Sequence, residues 1–120
     1  MITSKHFTEK EFNECTPSCS LQDMKQSTMD KMDKAREIYG RPIYLNCAYR
    51  SPEHDKAKGR SGTGAHTLGY ALDPRCENSM DRYDLTIALL NAGFKRIGIA
   101  DRFIHADDSP GHAQNVIWTY

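Results

Sequence analysis

The sequence predicts one α+β domain over residues 1–120, with helices packed on a mostly antiparallel sheet. The length of 120 residues is that of a single domain. Helical spacing of apolar residues dominates the first half of the chain, whereas three short strand-like segments close it. Helices that come early and strands that meet late are typical of α+β domains. The 38% of hydrophobic residues is enough to bury a modest core.

Four helices are predicted from the signals at their ends. Thr8 is a suitable N-cap, and Glu11 completes a capping box three residues later. Pro52 suits the first position of a helix, and Gly40 and Gly93 suit helix C-termini. In the second helix, apolar residues recur at spacings of three and four, which places them on one face. The predicted helices are residues 8–14, 20–39, 51–58 and 79–93.

Five strands are predicted from their β-branched and aromatic content. The glycine-rich residues 59–65 are expected to form a loop. Pro74 is expected to end the strand that precedes it. The predicted strands are residues 42–50, 69–74, 96–100, 103–107 and 116–120.

Charge and hydropathy exclude several classes of partner. Sixteen acidic and sixteen basic residues cancel, so no whole-molecule field favours nucleic acid or an anionic membrane surface. No apolar run approaches the roughly 20 residues that cross a bilayer. No apolar segment follows Lys5, so a secretory signal is not expected, and we expect synthesis in the cytoplasm. A monomer is the default expectation for this chain.

The four cysteines, Cys15, Cys19, Cys47 and Cys76, are irregularly spaced. Cys15 and Cys19 have the spacing of half a zinc knuckle, but no second close pair of Cys or His follows them. We therefore expect free thiols that are buried or idle.

Strand alternation brings metal-type ligands onto one side of the predicted sheet. His105 and Asp107 share one face of their strand, and the apolar Ile104 and Ala106 share the other. Asp73 ends an apolar run seven residues after His66. His66, Asp73 and His105 could converge, and two imidazoles with one carboxylate leave zinc an open fourth position for a hydrolytic water. Spacing alone leaves simpler hypotheses open. Asp73 could cap a turn, His105 could be a strand histidine with its hydrogen bonds made inside the fold, and His66 could be a loop residue without a functional role.

Three segments of the chain resemble one known family. "AYRSPEHDKAKG", "HTLGYALD" and "GIADRFIHAD" are similar to the zinc D-Ala-D-Ala carboxypeptidase and murein endopeptidase family. That family includes small phage endolysins and shares its fold with the amino-terminal domain of Hedgehog proteins. The resemblance runs from about Phe7 to the C-terminus. The motif His-x-x-Gly-x-Ala-x-Asp is matched at His66, Gly69, Ala71 and Asp73, and the later His-x-Asp at His105 and Asp107.

The resemblance implies zinc-dependent hydrolysis of peptide bonds in peptidoglycan stem peptides. One zinc ion would be held by His66, Asp73 and His105. Gly69 and Ala71 would be small because the backbone packs closely beside the metal. The enzyme would be a D,D- or L,D-carboxypeptidase or endopeptidase from a phage or prophage. It would act on the cell wall after release or as part of a phage particle.

The resemblance also implies catalytic roles. Arg50 matches the family arginine, whose guanidinium binds substrate and neutralises charge on the scissile carbonyl oxygen. Larger relatives carry an acid where this chain has Arg102, which cannot act as a base. Asp107 is our preferred general base, and Asp101 is the second candidate.

Carboxypeptidase-type members carry a serine where this chain has Gly64, with Thr63 beside it as a candidate substrate contact. His112 is expected to be an exposed turn residue. Trp118 and Tyr120 are expected in the core or in a wall of the site.

Two rival functions belong to other classes. The same fold could serve as a metal-containing cell-wall or protein-binding module without turnover, which bound zinc without cleavage would favour. The chain could also be a phage structural protein with incidental histidines, which the absence of bound metal in purified protein would favour.

Overall fold

The computed structural model describes residues 1–120 as a five-stranded sheet with four α-helices, which confirms the α+β class. Two short 3-10 turns, Leu21–Asp23 and Ala65–Leu68, interrupt the connections. The helices are α1 (Glu9–Asn13), α2 (Gln26–Tyr39), α3 (Pro52–Ala57) and α4 (Ser79–Ala92). The strands are β1 (Leu45–Cys47), β2 (Ala71–Pro74), β3 (Arg96–Ile99), β4 (Ile104–Asp107) and β5 (Val116–Thr119). None of the helices combines the length and the apolar character that spanning a membrane requires.

The sheet has the strand order β1-β2-β4-β3-β5. Its pairs are antiparallel, as predicted, except that the edge strand β5 runs parallel to β3. Ala71 pairs with Asp107 across β2 and β4, and that register carries Asp73 to the level of His105. The central strand β4 therefore brings the two sequence motifs together.

The hydrophobic core lies between the sheet and the helices α2 and α4. Met29 and Met32 of α2 and Leu89 of α4 are fully buried there. Ile104 and Ala106 of β4 also belong to this core, so the alternate residues of β4 face away from it, as strand alternation predicts.

The helix predicted at residues 20–39 is wrong at its start. It divides into the turn Leu21–Asp23 and the helix α2, since Met24 adopts an extended backbone. The backbone N–H of Lys25 donates to the carbonyl oxygen of Gly69 at 2.9 Å, a contact outside the helix. The predicted C-terminus is correct, because Gly40 ends α2 in the left-handed conformation.

The strand predicted at residues 42–50 is also shorter than expected. β1 ends at Cys47 because the following backbone bonds to the turn that carries His66 instead of to a strand. The N–H of Arg50 donates to the carbonyl oxygen of His66 at 3.2 Å. The loop expected after residue 58 likewise closes into the turn Ala65–Leu68.

The structure gives a local reason for glycine at position 69. Gly69 ends the turn Ala65–Leu68 with φ of +82°, a left-handed conformation that favours glycine. A Cβ atom there would collide with the backbone carbonyl oxygen of Asp23. Packing against the backbone before α2 therefore sets the size of this residue.

Candidate metal centre

His66 is held by the turn Ala65–Leu68 with its ring buried. Its Nδ1 lies 2.5 Å from the carbonyl oxygen of Ala48. A carbonyl oxygen only accepts, so Nδ1 carries the hydrogen and donates it. Nε2 lies 3.2 Å from Oδ1 of Asp73. The backbone before Arg50 thus fixes the tautomer of His66 and points Nε2 at the carboxylate.

His105 approaches the same carboxylate oxygen from β4. Its Nδ1 lies 3.1 Å from Oδ1 of Asp73, and its Nε2 lies 2.6 Å from Oδ2 of Asp107. The rings of His66 and His105 are 5.0 Å apart between centroids and meet edge to face. The structure therefore brings His66, Asp73 and His105 together, with one oxygen of Asp73 between two imidazoles.

These buried groups stabilise one another as charged pairs. Burial lowers the pKa of His66, but hydrogen bonds to Asp73 and Cys47 outweigh burial and raise that pKa to about 9. Burial raises the pKa of Asp73, but hydrogen bonds from His105 and His66 bring it well below its ordinary value. For His105, the hydrogen bonds to Asp107 and Asp73 likewise outweigh burial and raise the pKa.

Asp107, the preferred general base of the sequence analysis, has no exposed surface and no unoccupied oxygen. Its Oδ2 bonds to His105, and its Oδ1 accepts from Nε of Arg96 at 2.8 Å and from the backbone N–H of Ser109 at 3.1 Å. Burial raises the pKa of Asp107, but the bond to His105 and the nearby charges outweigh it and lower that pKa. A carboxylate held on both oxygens orients His105 and is poorly placed to exchange protons with a substrate.

The donor set fits zinc in its chemistry and in two of its distances. Two imidazoles and a carboxylate are ligands that zinc takes in hydrolytic sites. The separations of 3.1 and 3.2 Å from Asp73 Oδ1 are close to the edge of about 3.3 Å in a zinc tetrahedron. The second nitrogen of each imidazole bonds to an acceptor, as metal-binding histidines commonly do.

Cys47 offers a second donor set with His66 and Asp73, since one ligand atom from each lies within 4.8 Å of the others. The thiol lies 3.9 Å from Nδ1 of His66, the nitrogen that bonds to Ala48. An ion at Nε2 of His66 would lie on the side of the ring away from that contact. Both donor sets share His66 and Asp73, and they differ in whether His105 or Cys47 supplies the third ligand.

A cleft of about 430 Å³ opens onto these residues, and we call it the central cleft. Asp73 and Asp107 are the only acids that line it. Its lining includes the guanidinium groups of Arg50, Arg60 and Arg96. It also includes the aromatic side chains of His112, Trp118 and Tyr120.

Comparison with known families agrees with this geometry. The family model described as peptidase M15 matches residues 5–107, which is most of the chain and includes all three candidate ligands. The chain belongs to the peptidase M15 family. Members of this family are zinc peptidases, so the resemblance inferred from the three segments is confirmed. No curated protein matches the sequence.

Arg50 of this M15 peptidase lies at the edge of the central cleft with 18% of its side chain exposed. Its Nη1 donates to the thiol of Cys47 at 3.5 Å, and its Nε lies 3.3 Å from Oδ1 of Asp55. Asp55 is buried and also lies 3.9 Å from Nη1 of Arg60. One buried carboxylate therefore lies within ion-pair distance of two guanidinium groups at the mouth of the cleft.

Two predicted site residues of the M15 peptidase lie outside the central cleft. Asp101 is exposed in the turn between β3 and β4, where the backbone reverses before the strand alternation of β4 begins. Thr63 is exposed and its hydroxyl pairs with that of Ser61 at 2.8 Å. The structure gives neither side chain a contact with the three candidate ligands.

Three residues that surround the centre were not predicted as functional from the sequence: Arg96, Ser109 and His112. Arg96 pairs with Asp107 across β3 and β4, a partnership that no local pattern indicates. Ser109 and His112 lie three residues apart in a proline- and glycine-containing loop, a spacing that permits a side-chain hydrogen bond but does not predict one. His112, expected as an exposed turn residue, lines the central cleft.

Proposed function

We propose that this chain is a zinc-dependent peptidase that cleaves peptide bonds in peptidoglycan stem peptides. The observation that carries the proposal is the position of Asp73 Oδ1 between Nε2 of His66 and Nδ1 of His105. These three atoms would hold one zinc ion. Zinc, when bound, supplies a Lewis acid and lowers the pKa of a water molecule to about 7.

The protein's own groups would bind and orient the peptide. Arg50 presents a guanidinium at the cleft edge, where it can pair with a substrate carboxylate or with charge that develops on the scissile carbonyl oxygen. Arg60 adds a second cation beside it, and the two share Asp55. A cleft with this charge suits short peptides that carry free carboxylates, as stem peptides do.

The substrate class rests on the resemblance of the three sequence segments, and both D,D- and L,D-bonds fit it. Terminal trimming and cross-link cleavage also both fit. We propose that the protein acts as a monomer on the cell wall, after release from the cytoplasm or as part of a phage particle. The acidic and basic residues of the whole chain cancel, and we propose no nucleic-acid or membrane partner.

A second candidate function is a metal-containing module that binds peptide without cleaving it. The observation that favours it is the engagement of both acids that line the central cleft. Asp73 lies between the imidazoles, and Asp107 has partners on both oxygens. Stoichiometric zinc with no cleavage of any muropeptide would support this second function.

The first experiment is the zinc content of purified wild-type protein beside His66→Ala, His105→Ala and Cys47→Ala. We expect roughly one zinc per chain in the wild type and in Cys47→Ala, and loss of zinc in both histidine variants. Muropeptide digestion followed by mass spectrometry then identifies the bond. Absence of zinc from folded, zinc-supplied wild-type protein would contradict the proposal, and loss of zinc in Cys47→Ala alone would move the third ligand to the thiol.

A further inference from the structure

We propose that His112 transfers the proton during peptide hydrolysis, a role that rests on the proposed function. His112 lies in the loop between β4 and β5, beyond the residues 5–107 that the family model matches. It lines the same central cleft as His66, Asp73 and His105. The family match therefore does not extend to this side chain.

Hydrolysis of an amide needs a group that can take a proton and return it. Nε2 of His112 would take a proton from water as the water oxygen bonds to the scissile carbonyl carbon. The same nitrogen would give that proton to the amide nitrogen as the carbon–nitrogen bond breaks. The products are a carboxylic acid and an amine, and His112 returns to its starting form.

The other titratable groups of the central cleft are occupied or unsuited. Asp73 and Asp107 are held by the two histidines and Arg96, and each ring nitrogen of His66 and His105 has a partner. The guanidinium groups of the cleft do not lose protons.

Tyr120 is the remaining candidate in the central cleft. Partial desolvation raises its pKa above the ordinary value for tyrosine, although most of the residue is exposed. Its phenol therefore stays protonated near neutral pH and can donate a hydrogen bond, but it does not act as a base.

The imidazole of His112 is oriented by a fully buried residue. Nδ1 lies 2.7 Å from the hydroxyl of Ser109, and Nε2 makes no hydrogen bond to the protein. The backbone N–H of Ser109 donates to Oδ1 of Asp107 at 3.1 Å. The loop that carries His112 thus attaches directly to the carboxylate that orients His105.

Three further hydrogen bonds fix the path of this loop. Nε2 of Gln114 donates to the carbonyl oxygens of Ser109 and His112 at 2.9 and 2.8 Å. Nη1 of Arg96 donates to the carbonyl oxygen of Ala113 at 2.7 Å. A preorganised imidazole with one bonded and one unbonded nitrogen is the arrangement that general acid–base catalysis requires.

The test compares His112→Ala, His112→Gln and Ser109→Ala with the wild type in zinc content, unfolding and steady-state kinetics on a muropeptide. We expect His112→Ala to keep its zinc and its KM while kcat falls by about 10² to 10⁴-fold. Added imidazole should restore part of the rate to His112→Ala and none to Ser109→Ala. Ser109→Ala should lose about tenfold in kcat, because Ser109 acts through His112.

His6→Ala is the matched control, since it removes an imidazole that pairs with Glu37 on the surface. Its kcat should equal that of the wild type. His112→Gln keeps the assignment testable if the alanine variant does not fold.

Four outcomes would overturn the assignment. Wild-type kcat in His112→Ala would do so, as would loss of zinc from that variant, which would make His112 a ligand. A large loss of kcat in Tyr120→Phe with no loss in His112→Ala would show that the phenol of Tyr120, and not His112, transfers the proton. A wild-type protein that holds zinc and cleaves no peptide would overturn the proposed function together with this inference.

Discussion

Arg96 and Asp107 form an ion pair directly behind the candidate metal centre. Nε of Arg96 donates to Oδ1 of Asp107 at 2.8 Å, and the two residues pair across β3 and β4. The other oxygen of Asp107 bonds to Nε2 of His105, which leaves Nδ1 of His105 directed at Asp73. Arg96 of β3 therefore orients His105, a candidate metal ligand on β4, through Asp107.

Asp107→Asn should weaken both zinc binding and the fold. The amide removes the charge that His105 and Arg96 share, so zinc affinity should fall by about 10 to 100-fold. Arg96 keeps a largely buried guanidinium without its counter-charge, which should cost about 3 kcal/mol of the free energy of unfolding. Chelator competition and urea unfolding measure the two effects. Asp84→Asn is the control, since it breaks an exposed ion pair with Arg41 and should change neither zinc affinity nor the free energy of unfolding. Equal zinc affinity and stability in the two variants would contradict the role of Asp107 in orienting His105.

Local patterns in the sequence predicted the parts of the fold that depend on neighbouring residues. Gly40 and Gly93 end helices because glycine adopts the left-handed conformation without strain. Ile104 and Ala106 enter the core while His105 and Asp107 face the cleft, because alternate residues of a strand point to opposite sides. These are rules of chain geometry and need no tertiary partner.

The features that the sequence did not predict all depend on distant partners. The helix expected from residue 20 breaks where Lys25 bonds to Gly69. Asp107 shares the parity of His105 as predicted, but Arg96 occupies the oxygen that a general base would need. His112 reaches the central cleft in a loop that Arg96 of β3 holds, since its Nη1 donates to the carbonyl oxygen of Ala113. No periodicity in the sequence reports which non-local partner a side chain will meet.

Zinc binding should release protons near neutral pH and tighten as the pH rises. A pKa of about 9 keeps His66 protonated below that value in chelator-treated protein, and zinc binds only the neutral imidazole. The pKa of His105 is raised as well, so binding at pH 7 should release between one and two protons. Isothermal titration calorimetry in two buffers of different ionisation enthalpy counts them. An apparent affinity that stays constant between pH 6.5 and pH 9 would argue against His66 as a ligand.

The raised pKa of His66 also makes the free energy of unfolding of chelator-treated protein depend on pH. The pKa of His66 is higher in the folded chain than its ordinary value of 6.5. The stabilisation from charged His66 is therefore complete below pH 6.5 and is lost as the pH rises through about 9. Urea unfolding at a series of pH values should show this loss, and His66→Gln should remove it. A free energy of unfolding that rises over that interval would contradict the assignment.

Asp55→Asn should impair substrate binding through Arg50. The asparagine oxygen can still accept the backbone N–H of Gly62, which donates to Asp55 at 3.1 Å, so the change removes charge and little else. Without the 3.3 Å pair, the guanidinium of Arg50 loses its fixed position at the cleft mouth, and KM should rise by about tenfold. Steady-state kinetics on a muropeptide provide the measurement. Glu53→Gln, at an exposed position on the same helix, is the control and should leave KM unchanged. An unchanged KM in Asp55→Asn would show that Asp55 does not contribute to substrate binding.

Gly69→Ala should destabilise the fold more than Gly40→Ala and should also weaken zinc binding. Both glycines have positive φ, so each alanine should cost about 1 to 2 kcal/mol of left-handed strain. A Cβ at Gly40 meets nothing within 4 Å, whereas one at Gly69 meets the carbonyl oxygen of Asp23 and displaces the turn that holds His66. Urea unfolding and chelator competition on the two variants separate strain from displacement. Equal losses of stability, with unchanged zinc affinity in both, would show that His66 does not depend on the packing of Gly69.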